Sequence, residues 1–218
     1  MMEELSKEKE LVGIYISGHP LDDFKNEIKY FCNTTITTFK EDLSKHTGSN
    51  FTFAGILSDV QHRTSQNGNK WASFFIVDYN DSHEFRVFKD TYLKFKPYLV
   101  EHEFRQFKVN ISPGWRNADG KLGEPRINFT DIQILQDVLE KQSKKITIQL
   151  EINSLNEAKI QNLRTFLKEN EGDIPIDIMV YDLDEKMKLN LHSRSFKVKV
   201  DNEFLKQLKT SEIKFKLN

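Results

Sequence analysis

The sequence predicts a multidomain α+β protein made of a short helical connector, a five-stranded β-barrel and a small β-α-β-β-α-β sandwich domain. Three observations lead to this prediction. Residues 1–50 show helical spacing of apolar side chains, residues 51–135 contain five strand-like runs, and residues 136–218 alternate strand-like and helical runs. We therefore expect domains at 1–50, 51–135 and 136–218.

The connector is predicted from two helical runs. The first lies between Leu5 and Ile16 and ends at the segment SGHP, a glycine-then-proline helix ending. The second run, LDDFKNEIKYF, carries Asp22 and Asp23 near its start, where the helix dipole favours negative charge. The following TTITTF is predicted to be extended. Ser17 and His19 lack a third catalytic group, so we assign them to capping and turn formation.

The barrel is predicted from the order of its runs. The strand-like runs are FTFAGILSDVQHRTS, KWASFFIVDY, HEFRVFKD, EFRQFKVNI and RINFTDIQIL, and the helical run DTYLKFKPYLV lies between the third and the fourth. Three strands, a helix and two strands is the layout of an OB-fold, whose usual ligands are oligonucleotides or oligosaccharides. In KWASFFIVDY both faces are apolar, so it is packed on two sides or carries aromatics on an outer binding face.

The last domain follows a polar joint, QDVLEKQSKK. Its helix is predicted to begin after Ser154 as N-cap and to turn one apolar stripe toward a core. A hairpin is predicted at Leu183-Asp184, and EIKFKLN alternates as a half-buried terminal strand. The residues of the helix stripe are Leu155, Ala158, Ile160, Leu163, Phe166 and Leu167.

Composition limits the class of protein. Hydrophobic residues make up 38% and charged residues 30% of the 218 positions, as in a globular protein. No apolar run reaches membrane-spanning length and the acidic N-terminus lacks a signal-peptide pattern, so we expect a cytoplasmic protein without a membrane partner. The single Cys32 excludes an internal disulfide. The six histidines show no metal-ligand spacing, and we expect no metal or cofactor.

Charge argues against a general nucleic-acid coat protein. The net charge is −1 over the chain. Residues 51–135 contain eleven Lys and Arg against ten Asp and Glu, which gives +1 for the predicted barrel. Binding driven by many phosphate contacts is therefore not expected, and any DNA binding should be weak.

Three stretches together resemble one known family. EKELVGIYISGHPLDDF is similar to a segment near the C-terminal end of the alpha subunit of bacterial DNA polymerase III. FAGILSDV and NGNKWASFFIVDYNDSHEFRVFKDTYLKF resemble that family's OB domain, and GDIPIDIMV with EIKFKLN resembles its C-terminal tau-binding domain. The family's polymerase active site lies far upstream, so the resemblance implies a parent DNA-directed DNA polymerase but no catalytic residue here.

The resemblance also implies partners. Single-stranded DNA would bind the OB domain, the clamp-loader tau subunit would bind the last domain, and the sliding clamp would be reached through the parent chain. The family's basic first loop is depleted here, where residues 61–70 keep Arg63 and Lys70. The candidate nucleic-acid-binding residues are Arg63, Lys70, Trp71, Phe74, Arg86, Phe88, Trp115 and Arg116. The candidate partner-binding residues are Phe204, Leu208, Phe215 and Leu217.

Two other hypotheses for the function remain open. One is a stand-alone OB-fold accessory module that binds nucleic acid. The other is a protein-interaction module whose barrel binds no DNA, which the near-neutral charge favours. For each candidate aromatic residue the alternative hypothesis is a position in the hydrophobic core, since buried aromatic residues dominate core energetics.

Overall fold

The computed structural model describes residues 18–41, 43–116 and 119–217. The first predicted helical run and Ser17 lie outside these ranges. Contacts divide the chain into two compact units, Met1–Asp137 and Val138–Asn218, called here the N-terminal and C-terminal units. The N-terminal unit contains an antiparallel sheet and the C-terminal unit a mixed sheet, and both carry short helices. The α+β class is therefore confirmed. No helix of the described residues is long and apolar enough to cross a membrane.

The N-terminal unit is built on a five-stranded antiparallel sheet of order β3-β2-β1-β4-β5. The strands are β1 (Asn50–Thr64), β2 (Lys70–Val77), β3 (Ser82–Phe88), β4 (Phe104–Ser112) and β5 (Arg126–Ile134). The α-helices are α1 (Lys25–Phe31), α2 (Ile36–Lys40) and α3 (Lys89–Phe95). The 3-10 turns are Pro20–Phe24, Leu43–His46, Lys96–Tyr98 and Leu135–Asp137.

The long strand β1 joins the two halves of this sheet. Its first part pairs with β4 and its second part with β2, and the pairing shifts between Ser58 and Gln61. Gly55 lies where both pairings meet. A Cβ built there would stand 2.7 Å from the Val77 carbonyl oxygen, so only glycine allows the two strands to approach this closely.

The core of the unit is a cluster of aromatic rings on the inner face of the sheet. Phe53 stacks on Phe85 and Phe107 with ring centroids 5.7 Å apart in both pairs. Strand β2 contributes Ala72, Phe74 and Ile76, all without exposed surface. Alternation along β2 therefore sends Trp71, Ser73 and Phe75 to the outer face.

Helix α2 corrects the prediction of an extended TTITTF. Thr35 caps the helix by accepting from the Thr38 backbone N–H, and the Asp78 carboxylate accepts from the Ile36 N–H at 2.7 Å. Both acceptors satisfy donors that a helix start leaves unpaired, which outweighs the weak helix propensity of threonine. The helix places Phe39 in the aromatic core.

The C-terminal unit has a four-stranded sheet of order β8-β7-β6-β9, with β6 and β7 parallel and the other pairs antiparallel. The strands are β6 (Ile146–Glu151), β7 (Glu171–Asp182), β8 (Met187–Val198) and β9 (Lys214–Leu217). The α-helices are α4 (Val138–Gln142), α5 (Glu157–Glu169) and α6 (Asn202–Thr210), and a 3-10 turn covers Ile152–Ser154. The order from β6 to β9 is the predicted β-α-β-β-α-β.

This sheet has one apolar and one polar face. Ile146 and Ile148 of β6 lie opposite Ile176 and Ile178 of β7, and Leu217 and Phe215 of β9 complete the apolar row. Helix α6 packs through fully buried Phe204, Leu205 and Leu208. The rings of Phe204 and Phe166 stack with centroids 5.0 Å apart, which joins α6 to α5.

Helix α5 differs from its prediction in two ways. It begins at Glu157, and Asn156 rather than Ser154 is the N-cap, accepting from the Lys159 N–H. Of the predicted inward stripe only Leu167 is buried, whereas Ala158 is exposed and Ile160 keeps 52% of its surface exposed. The apolar stripe of α5 is present in the sequence, but the sheet buries only part of it.

Candidate nucleic-acid interface

Three of the candidate residues form one row across the outer face of the N-terminal sheet. Arg63 of β1 lies opposite Trp71 of β2, which lies opposite Phe88 of β3. The rings of Trp71 and Phe88 stack with centroids 5.6 Å apart and planes at 19°. The Arg63 guanidinium carbon lies 5.4 Å from the Trp71 ring centroid. We call Arg63, Trp71 and Phe88 the cation–aromatic row.

The row is open to solvent. Phe88 keeps 53% of its surface exposed and Trp71 is half-buried. Lys70, at the start of β2, is exposed and pairs with Thr64, but alternation along β2 starts its side chain from the face opposite to Trp71. The row therefore offers one exposed and one half-buried ring with a guanidinium at one end, a composition suited to base stacking and phosphate contact.

The two arginines of this face differ in their partners. Arg86 donates to both oxygens of Glu84, from Nε at 3.1 Å and from Nη2 at 3.0 Å. This contact raises the pKa of Arg86 and balances its charge. Arg63 donates to the neutral side-chain oxygen of Gln61. Arg63 is thus better placed than Arg86 to meet a phosphate.

The structure corrects the assignment of Phe74 as a stacking platform. Its side chain has no exposed surface and packs on Phe85 and Phe129, with centroid distances of 6.2 and 5.8 Å. The period of two along β2 places it on the face opposite to Trp71. A base cannot reach this ring.

Trp115 and Arg116 lie in the loop between β4 and β5. Trp115 is 72% exposed, and the Arg126 guanidinium carbon lies 4.2 Å from its ring centroid. Arg116 donates from Nη1 to the Gly120 carbonyl oxygen at 3.0 Å. Sequence reasoning missed Arg126, although its position directly after the glycine-rich loop and at the start of β5 was a usable signal.

The four candidate partner-binding residues fall into two groups. Phe204 and Leu208 are fully buried on the inner side of α6, so direct contact with a partner is ruled out for them in this structure. The sequence predicted them as accessible because the apolar pattern of a short helix does not show which of its faces packs against the sheet. Phe215 and Leu217 are half-buried on the apolar face, opposite Ile148 and Ile146.

An apolar groove lies beside α5 in the C-terminal unit, and we call it the α5 groove. Its volume is about 700 Å³, and charged side chains such as Lys159 and Glu212 line it as well. Near it, the edge strand β8 exposes Met187, Leu189 and Leu191. The apolar lining residues are Leu150, Leu155, Ile160, Leu163, Phe166, Ile178 and Ile213.

The remaining reactive groups have structural contacts. Burial raises the pKa of the Cys32 thiol to about 12, which keeps it protonated and unreactive at neutral pH. Asp182 accepts from the backbone N–H groups of Asp184 and Glu185 and so closes the β7–β8 turn. Among the described residues no group of three or more His, Cys, Asp or Glu is arranged to hold a metal ion.

Comparison with known proteins identifies what the chain resembles. Residues 146–218 match the family model described as DNA polymerase III alpha subunit, C-terminal domain. A DNA polymerase III subunit alpha from Borreliella burgdorferi is 29% identical over 185 residues, which cover 80% of this chain and 16% of the relative. The subunit from Buchnera aphidicola is 26% identical over 208 residues, covering 94% of this chain and 17% of the relative.

A more distant relative gives the same result. DNA polymerase III subunit alpha of Escherichia coli K12 is 22% identical over 186 residues, covering 85% of this chain. The chain spans 15 to 17% of the length of these three relatives. The predicted resemblance to the C-terminal region of that subunit is confirmed.

Proposed function

We propose that this chain, which corresponds to the C-terminal region of a DNA polymerase III alpha subunit, supplies two binding surfaces for DNA replication. The N-terminal unit would contact single-stranded DNA, and the C-terminal unit would dock on the clamp-loader tau subunit. The resemblance assigns the sliding-clamp contact to another part of the longer chain. Such a role places the protein in the bacterial cytoplasm.

An OB-fold is our interpretation of the N-terminal unit. The order β3-β2-β1-β4-β5, the long β1 with its register shift and a helix between β3 and β4 support it. In OB-folds, the face of strands 2 and 3 and the loops after strands 1 and 4 bind oligonucleotides. The cation–aromatic row crosses β1, β2 and β3, and Trp115 lies in the loop after β4.

The cation–aromatic row is the observation that carries the DNA proposal. Successive bases stack on aromatic side chains in sequence-tolerant single-strand sites, and each such contact is worth about 1–3 kcal/mol. Exposed Phe88 and half-buried Trp71 provide this surface, Arg63 provides positive charge within the row, and exposed Lys70 begins the strand that carries Trp71. Because few phosphates are neutralised, the affinity should be micromolar or weaker and should fall with salt.

We expect Trp71→Ala to weaken binding of a fluorescein-labelled oligo-dT by about tenfold, since it removes a stacking ring and the support of Arg63. Fluorescence anisotropy of the full chain at several salt concentrations measures this. Arg63→Glu combined with Lys70→Glu should remove the binding that remains at the cation–aromatic row. Leu183→Ala, which removes a 64% exposed apolar side chain from the C-terminal unit, is the control.

Unchanged binding in the Trp71 variant would show that the DNA site lies elsewhere. If even the unaltered chain failed to bind DNA at low salt, the protein-interaction reading would replace the DNA proposal. The near-neutral charge of residues 51–135 is the observation that favours this second function.

The α5 groove is the surface that we propose for tau. It combines half-buried Leu163 and Phe166 with largely exposed Ile160, so a partner's apolar side chains would bury surface that the chain itself leaves open. Strand β9 supports the groove because its first residue Lys214, with Ile213 directly before the strand, forms part of the wall. Phe204 and Leu208 would act only indirectly, by holding α6 against the sheet.

We expect Ile160→Asp with Leu163→Asp to remove most of the binding to purified tau, because both charges would be placed in the apolar contact. Isothermal titration calorimetry with the full chain measures the affinity, and circular dichroism checks folding. Leu93→Asp is the matched control, since Leu93 is 60% exposed in the N-terminal unit. A folded groove variant that binds like the parent would place the contact elsewhere, and an intact chain that fails to bind would refute the partner.

A further inference from the structure

The polar face of the C-terminal sheet is a regular grid of side chains. Across the strands, Lys216 lies opposite Thr147, Thr147 opposite Asp177, and Asp177 opposite His192. The next row runs from Lys214 through Gln149 and Met179 to Asn190. A third row runs from Glu151 through Tyr181 to Lys188. By the alternation along each strand these residues share the face opposite to Ile146 and Ile148.

Positive charge dominates the two edges of this grid. Lys214 and Lys216 lie on edge strand β9, Lys188 lies on edge strand β8, and all three are exposed. None of them forms an ion pair with another described residue. The face thus has uncompensated lysines at both rims.

The carboxylate of Asp177, on the inner strand β7 of the grid, is compensated. The Lys145 Nζ lies 2.6 Å from one Asp177 oxygen and the His192 Nδ1 lies 2.8 Å from the other. These contacts hold the pKa of Asp177 below its usual value. Glu151 is the remaining carboxylate of the three rows, against three unpaired lysines, so the face is positive overall.

We propose that this polar face binds single-stranded nucleic acid through its phosphates, as a second site separate from the cation–aromatic row. The two lysine rims are three strand spacings apart, about 14 Å, which leaves room for one strand of nucleic acid between them. Lys214 and Lys216 are two residues apart on β9, about 7 Å, so they can contact successive phosphates of an extended strand. Tyr181 lies between the rims as a ring for base stacking.

An acidic peptide would satisfy the lysines but not the rest of the face. Its short side chains make no use of an aromatic ring between two basic rims, whereas a positive groove with aromatic side chains is the usual composition of single-strand sites. The chemistry of the face therefore favours nucleic acid.

The test compares two triple variants of the full chain that lose the same charge. Lys188→Gln, Lys214→Gln and Lys216→Gln neutralise the polar face, whereas Arg164→Gln, Lys168→Gln and Lys206→Gln neutralise exposed basic side chains of α5 and α6. Both sets are made in the Trp71→Ala background, and oligo-dT binding is followed by fluorescence anisotropy across salt concentrations. The polar-face set should weaken binding about tenfold and lower the salt slope by about 2, since three phosphate contacts are lost. The helix set should leave both values nearly unchanged.

Tyr181→Ala should weaken binding without changing the salt slope, because it removes stacking and no charge. Equal losses in both triple variants would mean that net charge alone is sensed, and no loss in the polar-face set would remove the site; either result overturns the proposal. Loss of poly-glutamate binding but not of oligo-dT binding in the polar-face set would also overturn it, in favour of an acidic protein partner. A Trp71→Ala chain that no longer bound oligo-dT at low salt would leave no second site and would overturn the proposal as well.

Discussion

Replacement of Asp78 by alanine is expected to lower the free energy of unfolding of the N-terminal unit by about 3 kcal/mol. The carboxylate is almost fully buried and accepts from three backbone N–H groups, those of Ile36, Asn80 and Asp81, at 2.7, 2.9 and 3.0 Å. Alanine would leave the buried Ile36 N–H without an acceptor and loosen the turn before β3. Helix α2 would lose its attachment, and with it the position of Phe39 in the core.

Urea unfolding followed by circular dichroism measures this effect. Asp81→Ala is the matched control, because Asp81 forms an exposed ion pair with Lys40 at 2.8 Å and such pairs contribute less than about 1 kcal/mol. Asp78→Asn retains one oxygen acceptor at nearly the same position and should fall between the two. Equal midpoints for Asp78→Ala and Asp81→Ala would contradict the assigned role of the buried carboxylate.

Phe74→Ala is expected to cost about 3–5 kcal/mol of unfolding free energy, the usual range for deleting a buried aromatic ring. Its ring has no exposed surface and contacts the rings of Phe85 and Phe129. Phe88→Ala provides the comparison, since Phe88 lies opposite Trp71 on the outer face of the sheet and is 53% exposed. It should cost about 1 kcal/mol or less.

The same two variants separate core from ligand contact when oligo-dT binding is measured under conditions in which both are folded. Phe88→Ala should weaken binding, whereas Phe74→Ala should leave the affinity of the folded fraction unchanged. A Phe74 variant that stays stable but loses DNA affinity would restore that residue to the binding surface and contradict the packing seen here.

Local sequence patterns were sufficient to predict the order of strands and helix in much of the N-terminal unit. The order of three strands, a helix and two strands is read from alternation and helical spacing, and each has a fixed period. The turn before β2 was also readable, since Asn67-Gly68 favours positive φ and Gly68 has a φ of 75°. Trp71 and Phe88 could be named as candidates because aromatic residues at the ends of strands are visible in the sequence.

Other features depended on contacts between distant residues. TTITTF became helix α2 because Asp78, 42 residues after Ile36, accepts its N–H, and no local rule contains that partner. Arg86 forms an ion pair with Glu84 on the same strand, whereas Arg63 has an uncharged partner, and neither contact is evident from the pattern of the sequence. These outcomes required the side-chain positions.

The sequence by itself determined the periodicity of each element, and the tertiary structure decided which side of that periodicity is buried. KWASFFIVDY is apolar on both faces, so alternation separates Trp71 from Phe74 but does not say which ring meets the core. The stripe of α5 is likewise evident, yet Ile160 stays exposed and Leu167 is buried. The same holds for α6, where Phe204 is buried. Burial is a property of the surface that packs against an element, and that surface is built by residues far away in the chain.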